Sequence, residues 1–170
     1  HSFTDEGETT RHGDKVTLVI LDRFTNWLHA FASKTKNAMD TANGFQRFLR
    51  PKVHPAHVYT GNSKEFKKCF EDLNYLCDTS TPYRPQTNGV AERAVRKMKE
   101  GSSCALVQSG FNVEWWVEAQ ECFAFLYNVS EVLQNGFTPF EMRFSHKFTG
   151  PIISFGAEIQ YKPSAPKDKE

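Results

Sequence analysis

Asp78 to Glu100, DTSTPYRPQTNGVAERAVRKMKE, joins a polar, proline-punctuated loop to a helix that carries one acid and a basic stripe. Pro82 and Pro85 hold the loop extended, because each ring fixes its own φ and pushes the residue before it out of the helical region. Thr87-Asn88-Gly89 is a turn and N-cap signal. Beyond it Ala91, Ala94, Val95, Met98 and Ala105 recur at helical spacing and give an apolar stripe. Glu92, Arg96 and Lys99 stand at i, i+4 and i+7, so one face presents a carboxylate with two cations behind it. Arg93 and Lys97 widen that positive face. Two readings fit: a solvated helix whose Glu–Arg pair adds about 0.2–0.5 kcal/mol, or a metal-liganding acid beside phosphate-binding cations.

The chain around this stretch has 170 residues, 39% hydrophobic and 24% charged, which is one folded domain with a real core rather than a disordered segment. The net charge of +1 decides nothing about nucleic acid. Clustering does more, and bases gather between Arg84 and Lys99. No apolar run reaches membrane-spanning length, and no secretory signal is present. The first residue is not Met, so the sequence reads as a fragment or a processed piece. Cys69, Cys77, Cys104 and Cys122 lack C-x-x-C spacing, which argues against zinc and for buried free thiols. His54 and His57 flank Pro55 and read as turn residues. Asn128-Val129-Ser130 fits a glycosylation sequon but falls in a predicted core helix.

In chain order, the polar first fifteen residues end a strand and turn. Val16 to Asp22 is a nearly continuous β-branched run, the pattern of a strand covered on both faces. Arg23 to Asn26 turns, and Trp27 to Ala32 alternates as an antiparallel second strand. Helices are expected over Ala38–Leu49 and Lys64–Leu73, with strands at His57–Thr60 and Tyr75–Cys77. A long helix over Val113–Val132 buries Trp116, Ala119, Gln120, Phe123, Ala124 and Tyr127. Thr138-Pro139-Phe140 starts a short helix through Phe144. Phe148 to Tyr161 reads as loop with one or two short strands, and Pro163 to Glu170 as linker. The expected fold class is α/β, with helices packed on a sheet.

The run STPYRPQTNGVAERAVR, Ser80 to Arg96, resembles the third motif of retroviral and retrotransposon integrase catalytic cores, which belong to the DDE-type polynucleotidyl transferases. In that family P-Q-x-N-G-x-x-E supplies the last of three metal-binding acids. The resemblance implies a ribonuclease H-like mixed β-sheet flanked by α-helices, spanning residues 1–145 with its first strand truncated, followed by an extension or linker at 146–170. It implies DNA integration by metal-dependent strand transfer, a Mg²⁺ or Mn²⁺ cofactor, element-end and target DNA as partners, a possible homodimer and a nuclear location. Glu92 becomes the catalytic and metal-binding acid. Arg84, Gln86, Asn88, Arg93, Arg96, Lys97 and Lys99 become DNA contacts. The Thr138-Pro139-Phe140-Glu141 element also resembles one that follows the family's last core helix.

The other acids of the family pattern are missing. Its second acid opens a D-N-[GS]-x-E-F motif, and here Gly61-Asn62-Ser63-Lys64-Glu65-Phe66 puts glycine in that place. Asp22 aligns with an aspartate at a strand end that in the family does not bind metal. The first metal acid would stand immediately before His1, with Asp5 and Glu6 only nearby substitutes. One carboxylate cannot hold a pair of divalent ions, since the loss of their water is left uncompensated. Asn62 offers one neutral oxygen, and Glu65, a turn into the next helix, is expected to point away. The expectation is therefore a catalytically impaired integrase core. The alternative is a non-catalytic nucleic-acid-binding or dimerisation module derived from one.

Overall fold

The computed structural model describes residues 10–49, 53–81 and 88–160. Four strands and five α-helices alternate along them. Strand β1 (Val16–Leu21) and strand β2 (Leu28–Ser33) form an antiparallel hairpin, with Val19 opposite Ala30 and Leu21 opposite Leu28. Helix α1 (Ala38–Phe48) follows, then strand β3 (Val58–Thr60), helix α2 (Lys64–Asp72) and strand β4 (Cys77–Thr79), which runs parallel to β3. Helix α3 (Gly89–Ser109) and helix α4 (Trp116–Ser130) come next, and helix α5 (Pro139–Phe144) is the last. Among the described residues the two strand pairs share no ladder bond.

Alternation on the hairpin sets the layers. Ile20 and Phe31 join Phe45 and Phe48 of α1, Val58 of β3, and Cys69 and Phe70 of α2 in one apolar cluster. Leu28 and Ala30 turn the other way, onto Ala94 and Met98 of α3 and Ala124 of α4. The β1–β2 hairpin is therefore sandwiched between helices, as the continuous Val16–Asp22 run required.

Two buried amides of α4 join it to the hairpin. Asn128 accepts the backbone N–H of Leu28 at 3.0 Å and donates to its carbonyl at 2.8 Å. Gln120 accepts the Thr17 hydroxyl at 3.0 Å. Two hydrogen bonds to backbone from a residue only 1% exposed also remove Asn128 from any glycosylation reading of the folded chain. On the opposite side, Arg143 of α5 donates to the Phe48 carbonyl at the end of α1, and its guanidinium lies 5.1 Å from the Trp27 ring centroid.

Several local expectations need correction. The final strand is Cys77–Thr79, not Tyr75–Cys77, because Tyr75 is drawn into the α1–α2 cluster before pairing begins. Residues 113–132 are split into a 3-10 turn, Val113–Trp115, and α4. No strand forms over 148–160; Pro151 brings no N–H, and Gly156 sits at φ +76°. That segment lies along the helices, with Phe148 on Phe125 and Phe155 on Phe111. Of the four free cysteines only Cys69 is buried, and burial pushes its thiol up to about 11; Cys104 is exposed.

Gly101 of α3 packs directly against the Phe123 ring of α4. A Cβ there would stand 2.0–2.3 Å from three ring carbons of Phe123. Gly101→Ala should therefore destabilise the domain in urea denaturation. Overpacking costs roughly 1–3 kcal/mol, against the ~1 kcal/mol that Ala gains over Gly within a helix. Phe123→Leu added to Gly101→Ala should restore part of the loss. Wild-type stability in the single variant would show that the ring simply moves aside.

Candidate nucleic-acid interface

Helix α3 starts at the junction marked by Asn88 and Gly89 and runs to Gly110, whose φ of +71° closes it. Ala94, Met98 and Ser102 are its buried positions, so the apolar stripe of the sequence faces the core. Asn88 occupies the N-cap but makes no side-chain cap bond, and its Oδ1 is buried without a partner among the described residues. The expected side-chain cap is thus replaced by position alone. Arg84 and Gln86 lie outside the described residues.

Glu92, Arg93, Arg96 and Lys97 are exposed on α3, and Lys99 is half-buried. Among the described residues no ion pair joins Glu92 to Arg96, so the bland i, i+4 pairing is not made. Lys97 has turned toward α4, its Nζ 4.4 Å from the Tyr127 ring centroid. A cation over an aromatic face is partly satisfied already, which leaves Arg93 and Arg96 as the more available charges of the expected basic face.

Gly61 follows β3 directly. Its carbonyl accepts the Thr60 hydroxyl at 3.1 Å and the Ser63 N–H at 2.9 Å, which shapes the turn into α2. Ser80, leaving β4, donates its N–H to Thr60 at 2.8 Å, so the exits of the two parallel strands lie side by side. An added Cβ at Gly61 would meet nothing within 4 Å, and its backbone is outside the left-handed region. Neither packing nor conformation calls for glycine here. Asn62 is exposed.

Glu65 does not simply point away. With Asp40, Ser63, Thr41 and Lys36 it lines a cleft of about 140 Å³ between the first turns of α1 and α2 and the start of β1. The sequence reasoning missed this cleft; the acids in the opening turns of two successive helices were its only signal. Asp40 there already accepts the Thr35 hydroxyl at 2.6 Å. Asp22 is accounted for structurally: Oδ1 accepts the Phe24 N–H at 3.0 Å and Oδ2 the Thr25 hydroxyl at 2.6 Å, closing the β1–β2 turn. Asp5 and Glu6 lie outside the described residues. Among the described residues no three His, Cys, Asp or Glu side chains converge as a metal site. Glu92 alone does not fit a pair of divalent ions.

No family model matches the chain. It is 29% identical over 159 residues, 88% of its length, to the Gag-Pol polyprotein of Koala retrovirus. It is 26% identical over 155 residues to that of Woolly monkey sarcoma virus. In both cases it spans only 9% of the relative. Among solved structures, the catalytic core domain of BIV integrase superposes with TM-score 0.58 at 20% identity, over 76% of this chain and 85% of that one. The simian T-cell lymphotropic virus intasome in complex with PP2A regulatory subunit B56 gamma gives TM-score 0.64 at 20% identity, over 86% of this chain and 54% of the matched one. The HTLV-2 integrase catalytic core domain in complex with magnesium, in a trimeric form, gives 0.57 at 18%, over 73% and 81%.

The open surroundings of Gly61 yield a direct expectation. Gly61→Asp should fold with a stability within about 0.5 kcal/mol of the parent chain, as surface changes away from special features do. Chemical denaturation followed by circular dichroism measures it. A loss well beyond that would reveal a need for glycine that the backbone and contacts do not disclose.

Proposed function

We propose that this chain is a homologue of the retroviral integrase catalytic core that binds DNA through the outer face of α3 while its strand-transfer chemistry is impaired. The observation that carries this reading is the pairing of an exposed basic helix face, Arg93 and Arg96 above all, with a side-chain-free residue at the vacant acid position. Phosphate contacts need only cations and room, whereas in-line phosphoryl displacement needs converging carboxylates. The ancestral role is DNA integration in a retrotransposon-type element, with a core over residues 1–145, an extension over 146–170, and a nuclear site of action. Glu92 is the acid retained for Mg²⁺ or Mn²⁺, Gly61 the one lost. Arg84, Gln86 and Asn88 of the loop extend the DNA path, and Lys97 and Lys99 border it.

A second reading, a dimerisation module, would draw on exposed aromatic surface along α4. Phe125 is the exposed aromatic of that helix among the described residues, and its ring already rests 5.3 Å from that of Phe148. DNA binding is therefore the better-supported function.

Two measurements test it. Arg96→Glu combined with Lys99→Glu should weaken binding to duplex DNA at low salt and flatten its salt dependence by about one unit of slope per lost phosphate contact, with circular dichroism unchanged. Equal affinity in parent and variant would remove α3 from the interface. Calorimetric titration with Mn²⁺ should give no binding heat for the parent chain, while DNA affinity stays the same with and without the ion. A measurable Mn²⁺ isotherm, or strand transfer by the unaltered chain, would overturn the impaired-chemistry reading and leave the DNA interface standing.

A further inference from the structure

Trp27, His29 and Phe31 occupy alternate positions at the start and along β2, facing α1. The outer two each carry a guanidinium. Arg143 of α5 lies 5.1 Å from the Trp27 ring centroid, and Arg47 of α1 lies 5.1 Å from that of Phe31. The middle ring stacks on Phe31, with centroids 4.7 Å apart and planes 18° off parallel. Nδ1 of His29 lies 2.9 Å from the Ala30 carbonyl oxygen, which makes it the N–H donor and leaves Nε2 to accept a proton.

The charged groups acting on this imidazole come from three elements. Arg47 and Arg143 oppose its protonation and Glu121 of α4 favours it, while Ile20, directly opposite on β1, brings no charge. Burial acts first and most strongly, and His29 is held below its ordinary value of 6.5.

We propose that this row is an acid-sensitive latch: a proton on His29 places a third cation between the two guanidiniums and loosens Arg143, and α5 with it, from Trp27 and the Phe48 carbonyl. The sign follows from linkage. A histidine whose folded value is lowered binds fewer protons in the native than in the unfolded chain, so its contribution is complete above 6.5 and is lost as pH falls from there toward the folded value. Nothing in this depends on DNA or metal.

The test follows amide hydrogen exchange in α5, corrected for the intrinsic rate, together with thermal unfolding, between about pH 8 and pH 5. In the parent chain both protection of the Met142–Ser145 amides and Tm should fall on acidification. His29→Phe, which keeps the ring stack without the proton, should lose markedly less of either. His29→Gln serves the same purpose should the Phe variant pack poorly. Equal losses in parent and variants would overturn the latch, as would undiminished α5 protection in the parent at the acid end.

Discussion

Helix α4 is held to the β1–β2 hairpin by the carboxamide of Asn128, which satisfies both backbone groups of Leu28 where a further strand would otherwise be needed. Each such bond contributes only about 1 kcal/mol net, but leaving a buried donor or acceptor unpaired costs about 1–3 kcal/mol. The asymmetry makes the position specific: a shift of α4 along the hairpin by one residue would strand the amide and both backbone groups. The Thr17–Gln120 contact sets the same register two helical turns earlier. With α4 fixed, α3 is fixed through their mutual packing. The basic face thereby acquires its orientation relative to the strands that carry Gly61.

This arrangement leaves the position of Gly61 independent of the core. Gly61 lies at a strand exit, in contact with nothing that a Cβ would disturb. A side chain there would touch neither apolar cluster, so the residue at this position is free to change without cost to the core. The same logic separates Asp22 from the metal acids. Its carboxylate closes a turn with both oxygens, which is reason enough for an aspartate at that strand end.

Much of this was legible in the residues. The Val16–Asp22 run and the alternation after it specified the hairpin, because a strand between two helical layers must be apolar on both sides. The spans of α1 and α2 were legible to within one residue at their ends. The candidate site was legible as residue types, through Glu92, its flanking bases and Gly61, but not as geometry. Lys97 turning onto Tyr127 depends on how α3 and α4 cross, which no local pattern encodes. The cleft holding Asp40 and Glu65 arises where α1 and α2 both begin beside the start of β1. The expectation of short strands after Phe148 rested on apolar residues such as Ile152 and Ile153, which are exposed and pair with no strand.

The notch at Gly101, filled by the Phe123 ring, leaves α3 little freedom to roll or slide against its neighbour. Arg93 and Arg96 are therefore carried on a helix whose backbone is already ordered, so a contact made through them, as proposed, would cost no further backbone entropy. On the proposed reading, adaptation of this helix to a duplex has to come from its long side chains, so it contributes strength of attachment more than discrimination.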